Sequence, residues 1–102
     1  TVFNQDLSKW DTSRVTSMRW MFEDAVAFEG TNCCSGWDVS KVTDMNGMFD
    51  NAEAFNGDVS AWNVGQVNDM ERIFQRARAF NGDISRWNTA RVPIMKNMFR
   101  YA

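Results

Sequence analysis

The phrase Phe-Asn-Gly-Asp-aliphatic-Ser-x-Trp stands at Phe55 to Trp62 and again at Phe80 to Trp87. With Gln5 in place of the glycine it opens the chain at Phe3 to Trp10, and a copy stretched by two residues runs from Phe28 to Trp37. Self-similarity at a fixed period of 25 residues constrains the fold more than any other feature, because it is the mark of a solenoid or array. One such unit cannot bury its own apolar stripe, whereas stacked units can. The copies divide the 102 residues into 1–27, 28–54 with the two-residue insertion, 55–79 and 80–102. They are expected to form one domain, itself part of a longer protein or array.

Aligned columns carry the pattern. They are Phe3, Phe28, Phe55, Phe80; Trp10, Trp37, Trp62, Trp87; Val15, Val42, Val67, Val92; and Met18, Met45, Met70, Met95. Met21-Phe22, Met48-Phe49, Ile73-Phe74 and Met98-Phe99 follow, and each copy closes on Ala25, Ala52, Ala77 or Ala102. Val15, Met18, Phe22 and Ala25 lie 3, 4 and 3 residues apart, which is an apolar stripe at helical period. Thr16, Thr43 and Asn68 are suitable N-caps, and Pro93 suits a helix start. Asn56-Gly57 and Asn81-Gly82 read as turns into short strands, Asp58-Val59-Ser60 and Asp83-Ile84-Ser85. The column Leu7, Cys34, Val59, Ile84 would point inward there.

Strands stack at about 4.8 Å and helix axes at about 8–10 Å, so the helical side should fan out. The expected fold is a right-handed, curved βα solenoid of the leucine-rich-repeat kind. Short parallel strands would line its concave face and helices its convex face.

The joint phrase Phe-Asn-x-Asp-aliphatic-Ser-x-Trp, then Val-Thr-x-Met-x-x-Met-Phe-x-x-Ala, resembles the repeats of BspA-like leucine-rich-repeat surface proteins. The resemblance covers essentially the whole chain. It implies a βα solenoid used for adhesion or protein–protein contact, no catalytic residues to carry over, and a cell-surface or extracellular location. Phe28 to Ser35, Ile73 and Pro93 depart from the phrase. The arginines Arg72, Arg76, Arg78, Arg86 and Arg91 raise the case for the alternative, a structural subunit embedded in a large eukaryotic assembly.

The formal net charge is -2, with 11 basic and 13 acidic residues. That leaves no basic footprint for nucleic acid, and no apolar run is long enough for direct membrane insertion. The chain contains no histidine, so the commonest general base and neutral metal ligand is missing. No phosphate loop or nucleophile motif is present. The reading is therefore a non-enzymatic module with no cofactor, no metal and no catalytic residue, whose partners are other proteins.

Each conspicuous residue type also has a plain structural role. Asn4, Asn56 and Asn81 should form an asparagine ladder satisfying backbone groups. Asp6, Asp58 and Asp83, with Asp11 and Asp38, should stabilise turns. A stacked set of carboxylates could alternatively ligate calcium or, more remotely, act as an acid–base pair. Cys33 and Cys34 are the only cysteines and a candidate redox pair. Cys34 falls in the aliphatic column and Cys33 in the aspartate column, where it should face outward. Two free thiols are expected, favouring a reducing intracellular or organellar compartment; a strained vicinal bond or a bond to another chain are the alternatives. Trp20 occupies a variable column shared with Gly47, Arg72 and Asn97 on the outer helical face. It is either a contact hot spot or a cover over the end of the array. Tyr101 raises the same question, and Lys9, Ser60 and Arg86 are candidate contacts on the strand face. The open ends suggest end-to-end self-association.

Overall fold

A computed structural model of the chain describes residues 7–31, 33–93, 95 and 97–102. Among these residues there is no helix and no extended strand, so the expected βα solenoid does not form. The described residues instead run in stacked coils built of tight turns, each coil falling within one copy of the sequence phrase (coil 1 within 1–27, coil 2 within 28–54, coil 3 within 55–79, coil 4 within 80–102).

The segment from Val15 to Ala25 shows why. In an α-helix the amide of Phe22 would donate to the carbonyl of Met18. Here it donates to Met48 of coil 2 at 2.8 Å, and Met18, Trp20 and Asp24 donate likewise to Asp44, Asn46 and Asp50. The intervening amides turn back within the coil, Met21 to Met18 and Ala25 to Phe22. Coil 2 repeats the scheme towards coil 3: Met45, Gly47, Phe49 and Asn51 donate to Asp69, Glu71, Ile73 and Gln75. Phe74 and Arg76 then donate to Met98 and Arg100 of coil 4. Among the described residues two isolated parallel bridges, Ser17 to Asp44 and Asp44 to Asp69, are what resembles a sheet.

On this arc the turns closed by Met21 on Met18 and by Ala25 on Phe22, and their equivalents, take a left-handed residue at the third position, as in type II geometry. Trp20, Gly47, Arg72 and Asn97 occupy one such column, with φ of 58°, 64°, 62° and 61°. Asp24, Asn51, Arg76 and Tyr101 occupy the other, with φ of 60°, 60°, 59° and 61°.

Ring stacking fixes the distance between coils. Phe22, Phe49, Phe74 and Phe99 form one ladder with centroids 5.5, 5.6 and 5.6 Å apart. Trp10, Trp37, Trp62 and Trp87 form another at 6.1, 6.4 and 6.3 Å. Phe28, Phe55 and Phe80 make a third at 5.8 and 5.9 Å. Helix axes need about 8–10 Å and cannot be stacked at this spacing. The turn-built coil can, so there is no helical side to fan out.

The tryptophans also cross-link the coils. The indole N–H of Trp37, Trp62 and Trp87 donates to the carbonyl of Leu7, Cys34 and Val59 in the preceding coil, at 3.0, 2.7 and 3.0 Å. Each is buried, so the ring covers the core while its polar edge is satisfied. Inward columns missed by the phrase complete the core: Val39 and Val64 are buried. Thr12 in the same column is buried too and donates its hydroxyl to the Asp38 carbonyl at 3.0 Å.

The expected strands at Asp58-Val59-Ser60 and Asp83-Ile84-Ser85 are corners. Asp58 Oδ1 accepts from the Ser60 amide at 3.0 Å and its hydroxyl at 2.7 Å, and Asp83 Oδ1 accepts the Ser85 amide. A side chain bonding its own backbone two residues on replaces a ladder bond with a local one. Asp11 and Asp38 make a second corner with Ser13 and Ser40.

Candidate interaction surface

The exposed arc built from residues 16–25 and their equivalents carries the strongest candidate. Trp20 is half exposed, at 50%, yet several partners hold it in place. Its amide is bonded to Asn46. Its indole lies over Gly47 of coil 2, where any Cβ would collide with the ring. The Arg19 guanidinium stands 4.5 Å from the ring centroid. Arg19 is itself held by Asp44 at 3.2 Å and Asp69 at 3.8 Å, and Asn46 donates to the same Asp69 carboxylate. Trp20 thus belongs to a cation–π pair anchored across coils 1 to 3, rather than to the outer face of a helix. Met21 and Val26, at 36% and 40% exposed, add apolar surface to coil 1.

Arg19 has no prominence in the sequence. Its link to Asp44 and Asp69 becomes visible only once the repeats are stacked, when residues 25 to 27 apart become neighbours.

Tyr101 lies in the second left-handed column and is 57% exposed. Arg100 donates to its hydroxyl at 3.0 Å, and the Arg100 and Arg76 guanidinium carbons lie 4.9 and 5.8 Å from its ring centroid. Two aromatic residues framed by arginine therefore sit on coils 1 and 4, with coils 2 and 3 between them.

Lys9, Ser60 and Arg86 lie on the first corner instead. Lys9 and Arg86 are exposed, while the Ser60 hydroxyl is engaged by Asp58. Among the described residues no hydrogen bond, ion pair or ring contact joins these three to Trp20 or Tyr101. The strand face on which they were expected does not exist.

The acidic columns have local work. Hydrogen bonds from the serine hydroxyl, then from its amide, hold the carboxyls of Asp11, Asp38, Asp58 and Asp83 below the ordinary value of 3.8. Asp50 is pushed the other way by burial, against the opposing charge of Arg76. Among the described residues no group of three acidic or cysteine side chains could hold a metal ion. A groove of about 230 Å³ is lined by Asn68, Asp69, Glu71 and Pro93. It contains one acid pair and no nucleophile.

Asn56 and Asn81 are linked from coil to coil, the Asn81 amide donating to Asn56 Oδ1 at 2.9 Å. Asn4 and Asp6 lie outside the described residues, as do Phe3 and Lys96. Cys33 and Cys34 are joined to each other as a vicinal disulfide, so the free thiols expected of them are absent. Cys33 is buried rather than outward-facing, at 3% exposed.

No curated protein and no solved structure matches the chain. The chain belongs to the family described as Mycoplasma protein of unknown function, DUF285, whose model matches residues 1–102.

Proposed function

We propose that this chain is a non-enzymatic protein–protein interaction module, with Trp20 as the centre of its contact surface. The observation that carries the reading is the combination of exposure and rigidity at Trp20. Half of a large ring faces solvent while Gly47, Arg19, Asp44 and Asp69 fix its position. A pre-positioned aromatic loses little freedom on binding, and such residues dominate binding energy at interfaces.

The repeat phrase supports an adhesion role, through its resemblance to BspA-like surface proteins. The arginine-framed Tyr101 on coil 4 suits the second version, a subunit held between neighbours in a large assembly.

Cross-linking mass spectrometry in the native source tests the reading, using Lys9 and Lys41 as reporters beside the wild-type and Trp20→Ala chains. Links from these lysines to other polypeptides that diminish in Trp20→Ala are the expected result. Links confined to the chain itself, or partner links unchanged by the substitution, would remove Trp20 from the role.

A further inference from the structure

We infer that the Cys33–Cys34 pair is a redox site. Closed as a disulfide, it staples the first corner of coil 2. Opened by a dithiol reductant, it loosens the tryptophan link between coils 2 and 3. The inference does not depend on the reading of the Trp20 surface.

Coil 2 closes this corner by different chemistry from the coils that follow it. In coils 3 and 4 an aspartate stands two residues before the corner serine. Asp58 and Asp83 Oδ1 accept the amides of Ser60 and Ser85 at 3.0 and 2.9 Å. In coil 2 the residue two before Ser35 is Cys33. Sulfur is a weak acceptor and cannot stand in for the carboxylate. The bond from Cys33 to Cys34 closes the same stretch covalently instead. It also redirects the side chain, since Asp58 and Asp83 are exposed whereas Cys33 is buried. The disulfide draws inward a column that otherwise faces solvent.

What the staple holds is the Cys34 carbonyl. That oxygen accepts the Trp37 amide at 3.1 Å and the Trp62 indole N–H at 2.7 Å. Trp62 is buried and stacks on Trp37 with centroids 6.4 Å apart. A displaced carbonyl would leave its N–H buried without a partner, which is costly. The next link is built without sulfur: Trp87 donates to the Val59 carbonyl, within the corner that Asp58 and Ser60 close. The link from coil 2 to coil 3 therefore responds to redox state, and the one from coil 3 to coil 4 does not.

Reduction transfers two electrons and two protons from a dithiol. One of its thiolates attacks a sulfur of the pair, and the other sulfur leaves and is protonated. The second thiol of the reductant then resolves the mixed disulfide, freeing the second cysteine and leaving the reductant as a cyclic disulfide. Both cysteines are buried, and exchange needs an accessible sulfur. Reduction therefore waits on local opening of the corner, which slows interconversion of the two forms.

Thermal melting and tryptophan emission of the two forms test this. Diamide supplies the oxidised chain and dithiothreitol the reduced one; thiol counting and intact mass show that each conversion is complete. The reduced chain should melt about 4–8 °C lower, the shift expected when one such bond is lost in a chain of this size. Its emission should move to longer wavelength as Trp62 meets water. Cys33→Ser/Cys34→Ala should behave as the reduced chain in either buffer. Cys33→Asp/Cys34→Val rebuilds the Asp-Val-Ser corner of coil 3. It should melt with the oxidised chain and ignore dithiothreitol, and it serves as the comparison if the first variant does not fold. Four results would overturn the inference: equal melting and emission of the two forms, thiols that diamide cannot close, a folded chain that dithiothreitol never reduces, or a response to dithiothreitol that persists in Cys33→Asp/Cys34→Val.

Discussion

The left-handed column at Trp20, Gly47, Arg72 and Asn97 puts very different side chains into one backbone conformation. For a residue with a Cβ that conformation costs about 1–2 kcal/mol, and glycine avoids the cost. Gly47 has a second reason to lack a side chain, the Trp20 indole lying against it. Opposite outcomes are therefore expected within one column. Gly47→Ala should lower stability by at least about 1 kcal/mol, since it adds both backbone strain and a collision. Arg72→Gly should raise stability by up to about 1 kcal/mol, the relieved strain exceeding the extra chain entropy of glycine. The exposed Arg72–Glu71 contact at 4.0 Å is too weak to reverse that sign. Urea unfolding checks both, with a shifted midpoint at constant slope as the signature.

At the level of the element, the corner is the unit that titrates. Asp11, Asp38, Asp58 and Asp83 have carboxyls held below 3.8 by their serine partners. Their contribution is complete above the unfolded value and is lost as pH falls through the lower folded value. Asp50 runs against them: burial raises its carboxyl, so its protonation favours the folded state as pH falls. Asparagine already serves in the second corner, Gly65 and Ala90 donating to Asn63 and Asn88 Oδ1 at 3.1 Å. Changing all four aspartates to asparagine should keep the corners and flatten the fall in melting temperature below about pH 3.8, the unperturbed value. An equally steep acid transition in the variant would assign the sensitivity elsewhere. The apolar columns of Phe28, Trp37, Val42, Met45 and Phe49 are legible as core in the repeat, whereas the corners are not, since Asp58-Val59-Ser60 and Asp83-Ile84-Ser85 read as strands. The turn-built path of residues 15–25 is not legible either, because 3, 4, 3 spacing serves two structures and reads as a helix. Met18 and Phe22 face inward either on a helix or on turns whose amides cross to the next coil. What separates them is the residue type in the left-handed columns: Gly47, Asn97, Asp24 and Asn51 suit that conformation and are poor choices for a helix interior. The Trp20 cluster stayed hidden for a different reason, since Arg19, Asp44 and Asp69 meet only after the coils are set in register.

Over the described residues, the backbone and tryptophan links recur at corresponding places from one pair of coils to the next, so the coils should be interchangeable where their columns agree. Removing residues 55–79 joins Ala54 to Phe80 and recreates the Ala-Phe step found at Ala54-Phe55 and Ala79-Phe80. Phe49 would then face Phe99, and the Trp87 indole would meet the Cys34 carbonyl in place of that of Val59. Coil 3 carries three basic and three acidic residues, so the net charge is unchanged. The shortened chain should fold cooperatively, with a lower melting temperature because one coil-to-coil interface is lost. Its urea slope should fall by about a quarter, in proportion to the surface exposed on unfolding. Removing 55–78 instead leaves one residue too many and slides the columns of coil 4 out of line with those of coil 2. That variant should lose the cooperative transition. Equal behaviour of the two deletions would mean that the stacking tolerates slippage, and that the alternation of crossing and turning amides does not set the register.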